Sequence, residues 1–286
     1  NNSSIDDFKK TAIKAFFNYK KKYLKYFEQN QKKVKEKKTM LDTSPRVILV
    51  QNIGVFCMGD NLKAAKVAAD LTETNARVIS SVEETSKYKF ISKKDIFDVE
   101  YWSLEQAKIK KEIKELAGNV VIITGAFGKI GTATYKLFKK YGAEVVLIDN
   151  NRKKVTEMSK KINDLCIYCD VTNKKSVKKA FNLISSQFGG VDILISNAGT
   201  ATGGSIAEVS DKILRKSFED NFFSHQNCAS EATKIMKLQN NEGCLLFNIS
   251  KQSVNPGKNF GPYGLPKSAL LNPVSYTHLT LPTTSK

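Results

Sequence analysis

The chain has 286 residues, enough to bury a sizeable core in one large domain or two modest ones. It carries 46 basic and 28 acidic residues, a formal net charge of +18, but only four of the basic residues are arginine. Because the lysines are scattered, we attribute the charge to compositional bias and exclude nucleic-acid binding. No apolar run approaches the roughly 20 residues of a membrane-spanning helix, so a soluble globular protein without membrane association is expected.

Residues 1–44 are predicted to form a basic amphipathic helical segment. Between many lysines, apolar side chains recur at helical spacing, at Ile5, Phe8, Ala12, Phe16, Tyr23 and Phe27. Such a stripe can lie on a membrane surface or pack on a neighbouring domain, and we favour packing.

Residues 45–115 have an α/β pattern and form the second predicted segment. The elements expected along it are a strand at 46–50, a loop with Gly54 and Gly59, a helix at 61–71, a short strand at 77–80, an acidic and aromatic segment at 97–105 and a charged linker at 108–115.

A short β-branched run at 119–124 predicts a buried parallel strand. It leads directly into the sequence Gly-Ala-Phe-Gly-Lys-Ile-Gly at 125–131, after which a helical pattern begins. A glycine-rich turn between strand and helix lets backbone N–H groups approach a pyrophosphate, although an ordinary glycine turn is the alternative. A second strand at 144–148 ends in Asp149, near the distance at which an acid meets the adenosine ribose.

Tyr263 and Lys267 lie four residues apart, and Ser250 lies thirteen residues before the tyrosine. On a helix, side chains at i and i+4 share one face, and Pro266 is compatible with that helix if it lies in the first turn. A free tyrosine has a pKa of about 10 and exchanges protons near neutral pH only when a nearby group, here the lysine, stabilises the phenolate. This spacing suits carbonyl reduction or alcohol oxidation.

Over residues 116–272 these motifs resemble the short-chain dehydrogenase/reductase family. The glycine turn, read from Thr124 as Thr-Gly-x-x-Gly-x-Ile-Gly, resembles the family's nucleotide-binding turn, with Lys129 where its commonest form has glycine. The resemblance implies an α/β fold with a Rossmann-like, doubly wound parallel sheet of strand order 3-2-1-4-5-6-7. This chain would supply the first five strands, so that the sheet is truncated after the fifth and the fifth strand becomes an exposed edge.

The resemblance also implies the site residues. The catalytic tetrad of the family falls on Asn221, Ser250, Tyr263 and Lys267. Tyr263 would exchange the proton, Lys267 would assist it and reach the nicotinamide ribose, Ser250 would bind the substrate oxygen, and Asn221 would hold a water. The cofactor-binding positions are Gly125, Gly128, Ile130, Gly131, Asp149, Asp170, Val171, Asn197, Ala198, Gly199, Tyr263 and Lys267.

The predicted cofactor is NAD rather than NADP, because the Asp149 carboxylate would repel a 2′-phosphate, although the neighbouring Arg152 argues the other way. An alternative function is a non-catalytic nucleotide-binding regulatory module of the same fold. Relatives of that kind often lack the Tyr–Lys pair, so Tyr263 and Lys267 favour an enzyme.

Short sequences at 45–50, 54–56 and 97–106 resemble proteins that fuse a class II aldolase, of the rhamnulose-1-phosphate aldolase type, to a short-chain dehydrogenase. Residues 1–115 would then hold the aldolase tail and the connector, and the metal-binding histidines of the aldolase would precede residue 1. The resemblance implies a partner aldolase in the same parent chain, a small hydroxyaldehyde substrate such as lactaldehyde, and a homo-oligomeric parent.

Five cysteines at irregular intervals favour a reducing, cytoplasmic location. Cys166 and Cys169 would point to opposite faces of a strand, and His225 and His278 are the only histidines, so no metal site is predicted. Aldolase chemistry within this chain would need such a site and is therefore a weaker alternative.

The last predicted segment, residues 273–286, resembles the translation of a sequencing adapter and is excluded from the fold, the alternative being a native threonine-rich tail. Asn272 and Pro273 are expected to end the preceding helix. We therefore expect an active parent and a fragment that is marginally folded and poorly active.

Overall fold

The computed structural model describes residues 2–109, 114–205 and 207–280. The chain divides into two compact units, residues 1–113 and 114–286. None of the helices in the described part of the chain combines the length and the apolarity needed to cross a membrane.

The first unit contains mainly helices and one β-hairpin. Its described elements are α1 Asn2–Gln31, β1 Val47–Val50, β2 Gly54–Cys57, α2 Leu62–Glu83, α3 Lys93–Glu100 and α4 Ser103–Ile109. Strands β1 and β2 pair antiparallel, with Val47 opposite Cys57, so the predicted loop at Gly54 is in part a strand. The strand predicted at 77–80 is wrong, because these residues belong to α2. That helix is capped at Asn61, whose side chain accepts from the Ala64 N–H, and neither glycine nor proline interrupts it before Glu83.

Helix α1 packs through its second half within its own unit. The Phe27 ring lies 5.1 Å from that of Tyr101, which stacks on Phe97 at 4.6 Å. By contrast, Ile5 and Phe8 in the first half are 56% and 51% exposed. Within the described residues of the first unit, the apolar stripe predicted from sequence therefore packs along its second half, and Ile5 and Phe8 stay exposed.

The second unit is built around a five-stranded parallel sheet of order β5-β4-β3-β6-β7. Its described helices and strands are β3 Val120–Thr124, α5 Lys129–Lys140, β4 Glu144–Asp149, α6 Arg152–Lys161, β5 Cys166–Tyr168, α7 Lys174–Phe188, β6 Ile193–Ser196, α8 Asp211–Phe218, a π-helical turn Glu219–Phe223, α9 Ser224–Gln239, β7 Cys244–Phe247, a 3₁₀ turn Lys251–Ser253 and α10 Gly261–Thr280. Numbered within the unit, this order is 3-2-1-4-5, and the predicted doubly wound α/β sheet is confirmed.

Strand β3 is buried along its whole length because helices cover both faces of the sheet. Val121 and Ile123 belong to the core on the side of α5, whereas Val120 and Ile122 belong to the core on the side of α7 and α9. Each fully buried isoleucine contributes roughly 1.5–3 kcal/mol relative to an exposed one. A continuous apolar run, rather than an alternating one, is what a strand covered on both faces requires.

The topology fixes where a ligand can bind. After β3 the chain forms β4 and β5 on one side of β3 within the sheet. It then returns to form β6 and β7 on the other side of β3, so the direction in which strands are added reverses between β3 and β6. In open α/β sheets this point, at the carboxyl ends of the strands, leaves a crevice between the connecting loops.

Pro266 and Pro273 both lie inside the last helix, and the helix end predicted at Asn272 and Pro273 is wrong. Helix α10 begins at Gly261, so Pro266 is its sixth residue and lies beyond the first turn, where it has no N–H to donate to the Pro262 carbonyl. The helix also continues past Pro273 to Thr280, because the loss of one hydrogen bond at a proline need not end a helix. Residues 281–286 of the predicted tail and 110–113 of the predicted linker lie outside the described residues.

Candidate active site

The turn after β3 forms one wall of the site. Gly125 has a φ of 61°, and a Cβ there would lie 2.9 Å from the Ala198 Cα, so the position requires glycine. Gly128 is the N-cap of α5 and provides no side-chain cap to its first turn. A helix N-terminus next to a glycine turn attracts anions, because its N–H groups and its dipole both favour negative charge.

Hydrogen bonds tie the ends of three strands together beside this turn. The Asn197 side chain donates to the carbonyls of Thr124 and Gly125, at 3.0 and 3.2 Å. Its backbone N–H donates to Thr124 Oγ1 at 2.9 Å, and its Oδ1 accepts from Asn248 Nδ2 at 2.8 Å. Asn197 therefore holds the glycine turn against β6 and β7.

Asp149 lies at the end of β4, as the sequence predicts. Its Oδ2 accepts from the Phe127 N–H at 3.0 Å and its Oδ1 from the Asn151 N–H at 2.9 Å. Each carboxylate oxygen keeps a second lone pair for a ligand hydroxyl. The neighbouring Arg152 guanidinium stacks on the Tyr168 ring, 4.2 Å from its centroid.

A cavity of about 630 Å³ extends from the glycine turn to α10. Most of the residues predicted to bind a cofactor line it, namely Gly125, Gly128, Ile130, Asp149, Asp170, Val171, Asn197, Ala198, Gly199, Tyr263 and Lys267. Gly131 does not line it. This glycine packs α5 against the turn, because a Cβ there would lie 2.7 Å from the Ala126 Cα.

Lys267 lies on α10 one turn after Tyr263 and is only 2% exposed. Its Nζ lies 6.0 Å from the centroid of the Tyr263 ring, donates to the Asn248 carbonyl at 2.9 Å and lies 3.0 Å from His225 Nε2. Burial lowers the pKa of Lys267 to about 8. A mostly cationic amine is thus held under the tyrosine with little access to water.

Asn221 does not line the cavity and instead supports its wall. It lies in the π-helical turn between α8 and α9, and π-turns are frequent at functional sites. Its Nδ2 donates to the Thr200 carbonyl at 2.9 Å, and its Oδ1 accepts from the Thr200 N–H at 3.2 Å. The side chain therefore fixes the loop that follows β6.

Ser250 is likewise absent from the cavity lining. Its Oγ accepts from the Gln252 N–H at 3.3 Å and caps the 3₁₀ turn Lys251–Ser253. In this arrangement the hydroxyl has the turn-capping role common for serine. Its predicted contact with a substrate oxygen stays a prediction.

Sequence reasoning did not assign hydrogen-bonding roles within the site to Thr124, His225 and Asn248. The histidine had a usable signal: it lies four residues after Asn221, on the same face of a helix. Asn248 contributes its backbone carbonyl to Lys267, a contact that residue type alone does not reveal.

Among the described residues, no three histidine, cysteine or acidic side chains are grouped as metal ligands. Cys166 and Cys169 pack into the cores on opposite sides of the sheet. Burial raises the pKa of the Cys166 thiol to about 11, so this thiol is a poor metal ligand and a poor nucleophile at neutral pH.

Residues 119–281, more than half of the chain, match the family model described as short chain dehydrogenase. The chain belongs to the short-chain dehydrogenase family. Residues 1–109 match the model described as aldolase class II, second domain. The resemblance to an aldolase joined to a short-chain dehydrogenase is thereby confirmed.

Similar proteins agree with this family assignment. The chain is 30% identical to an uncharacterized oxidoreductase, YuxG, of Bacillus subtilis over 92% of this chain and 39% of the relative. It is 34% identical to short chain aldehyde dehydrogenase 1 of Euphorbia lathyris over 49% of this chain and 50% of the relative. The chain thus spans half or less of these relatives.

A solved structure of 7α-hydroxysteroid dehydrogenase, complexed with NADH and 7-oxo glycochenodeoxycholic acid, has the same fold. Its TM-score is 0.53 at 26% identity, and the match covers 57% of this chain and 65% of that one.

Proposed function

We propose that the second unit transfers a hydride between a nicotinamide cofactor and the carbon of a small alcohol, aldehyde or ketone. The observation that carries this proposal is the placement of Tyr263 above the buried Lys267, in one cavity with the glycine turn. A proton-exchanging group and a dinucleotide cradle are the two parts that such a reaction needs from the protein.

The residues of the cavity fit the cofactor. The start of α5 lines the cavity, and because Gly128 gives it no side-chain cap, its first N–H groups suit a pyrophosphate. When bound, the nicotinamide supplies the hydride chemistry. The chain's own residues then orient the substrate and exchange its proton.

In this proposal Tyr263 gives a proton to the substrate oxygen during reduction and takes it back during oxidation. The Lys267 ammonium stabilises the phenolate and reaches the nicotinamide ribose. Asn221 holds the Thr200 loop and, through a water, connects Lys267 to solvent, while Ser250 turns its hydroxyl to the substrate oxygen.

The proposed cofactor is NAD rather than NADP. Asp149 offers a carboxylate where the adenosine ribose would lie. The Arg152 guanidinium, which could otherwise bind a 2′-phosphate, packs on the Tyr168 ring. Replacing Asp149 with Asn keeps an acceptor for one of the two N–H groups that the carboxylate binds and removes its charge.

Asp149→Asn should therefore reduce the preference for NADH over NADPH by about tenfold, a change of roughly 1.4 kcal/mol. Fluorescence titration with both cofactors measures this ratio, and the exposed Asp211→Asn is the matched control. Equal affinity of the wild-type protein for the two cofactors would contradict the assignment of NAD.

We further propose that the chain belongs to a longer, homo-oligomeric and cytoplasmic protein in which an aldolase part releases the dehydrogenase's substrate. The aldolase-type match at 1–109 and the length of the Bacillus relative support this, and the five described cysteines are free. A small hydroxyaldehyde such as lactaldehyde is the proposed substrate.

The function is tested in two steps on the full-length protein: fluorescence titration with NADH, then oxidation of NADH in the presence of lactaldehyde. We expect binding and turnover. A folded protein that does not bind NADH contradicts the proposal. Binding without turnover of any small carbonyl or alcohol tested would instead support the non-catalytic nucleotide-binding module.

A further inference from the structure

His225 is a buried polar residue whose two ring nitrogens both have partners. It is 1% exposed on α9. Its Nε2 lies 3.0 Å from Lys267 Nζ, and its Nδ1 lies 2.7 Å from Ser196 Oγ at the end of β6. The imidazole therefore joins the end of a central strand to the amine of the candidate site.

The chemistry of these partners fixes the tautomer. A lysine ammonium has three donors and no acceptor, so Nε2 of His225 must accept from it. The proton of the neutral ring is then on Nδ1, which donates to Ser196 Oγ. Burial and the charge of Lys267 lower the pKa of His225 to about 3, so that the ring is neutral at pH 7.

The same contact decides how the amine is oriented. The Asn248 carbonyl takes one Lys267 donor at 2.9 Å and His225 takes a second at 3.0 Å. These acceptors come from two different elements, the end of β7 and α9, and together they set the direction of the Cε–Nζ bond. One donor is left for the cavity that Lys267 lines.

We propose that His225, in the Nδ1–H tautomer that the Lys267 donor imposes and with that N–H bonded to Ser196, is a positioning residue that orients the Lys267 ammonium toward the cofactor and Tyr263. The role in catalysis rests on the proposed function, whereas the contact and the tautomer do not. A displacement of a reacting group by about 1 Å can cost about 100-fold in rate, so loss of this acceptor should be visible in turnover.

The first test is nuclear magnetic resonance of this 286-residue chain, labelled with ¹⁵N-histidine. Because the chain has only two histidines, His278→Gln assigns the signals. We expect His225 to give the Nδ1–H pattern without titration between pH 5.5 and 7.5. In Lys267→Met its Nε2 resonance should shift and its pKa should rise. An Nε2–H tautomer in the wild type, or no response to Lys267→Met, would overturn the proposal.

The second test compares His225→Leu with His225→Gln in turnover by the full-length protein. Leucine fills the site without an acceptor, whereas the glutamine amide oxygen can replace Nε2. We expect kcat to fall about 10- to 100-fold for leucine and to be largely restored by glutamine, with thermal melting as the folding control. Equal loss in two folded variants would overturn the positioning role. If the wild type shows no turnover, the proposed function fails, but the resonance test still decides on the His225–Lys267 contact.

Discussion

Lys267 combines a charge with almost complete burial, and this combination costs stability. Burial lowers its pKa from 10.5 to about 8, a difference that corresponds to roughly 3 kcal/mol at neutral pH. The folded state releases the proton near pH 8 and the unfolded state near 10.5. Between these values the unfolded state binds more protons, so stability attributable to this group rises with pH.

Lys267→Met removes this titration. The free energy of unfolding of the wild type, relative to the variant, should increase by about 2 kcal/mol between pH 7.5 and 9.5. Urea denaturation at several pH values measures the difference. The exposed Lys136→Met on α5 is the control and should show no such slope. A flat difference for Lys267→Met would mean that the amine is not held as a buried cation.

At the scale of elements, Gly128 and Gly131, in and after the turn that follows β3, have different structural roles. A Cβ at Gly131 would meet the backbone of Ala126 at 2.7 Å, whereas a Cβ at Gly128 would have its nearest neighbour, the Gly125 carbonyl oxygen, at 3.4 Å. A Cβ at Gly131 would therefore force α5 away from the turn, whereas a Cβ at Gly128 would lie at ordinary van der Waals distance from its neighbours.

Gly131→Ala should therefore destabilise the second unit by about 2 kcal/mol, because backbone atoms must shift to admit the methyl group. Gly128→Ala should change the free energy of unfolding by less than about 0.5 kcal/mol. Chemical denaturation of the two variants gives the comparison. Equal stabilities would show that α5 does not pack on the turn as described.

The elements also show which parts of the fold and site could be predicted from sequence. The apolar run at 119–124 predicts a strand, and the glycine turn after it predicts the position of the crevice. Both predictions hold because the local sequence pattern agrees with the burial of these residues. The run at 77–80 is helical although it contains β-branched residues. Extending a helix that has already formed from its cap at Asn61 costs less than starting a new one, so the weak helix propensity of these residues does not end it. Ser250 sits at the expected position but caps a turn, an orientation that only the three-dimensional packing determines.

At the scale of the whole molecule, the sheet of the second unit has an edge in β7. Within the described residues this strand pairs with β6 alone, and Leu246 on it is 46% exposed. An unpaired edge with an apolar side chain is a template for association with another chain.

We expect the chain to self-associate at high concentration, and Leu246→Lys should reduce this because a charge on an edge strand opposes pairing. Light scattering after size-exclusion chromatography measures the effect. Leu137→Lys, at a similarly exposed position on α5 away from the edge, is the control. Equal reduction by both variants would indicate a general effect of charge rather than pairing at β7.

The central claim is that Tyr263, next to the buried Lys267 cation, exchanges the substrate proton. Replacing Tyr263 with Phe removes only the hydroxyl, so the fold and the affinity for NADH should be unchanged while kcat of the full-length protein falls by about 10²- to 10⁴-fold. Stopped-flow or steady-state NADH oxidation, together with NADH titration of the same preparation, measures both quantities. A variant that binds NADH normally and keeps its full rate would contradict the account.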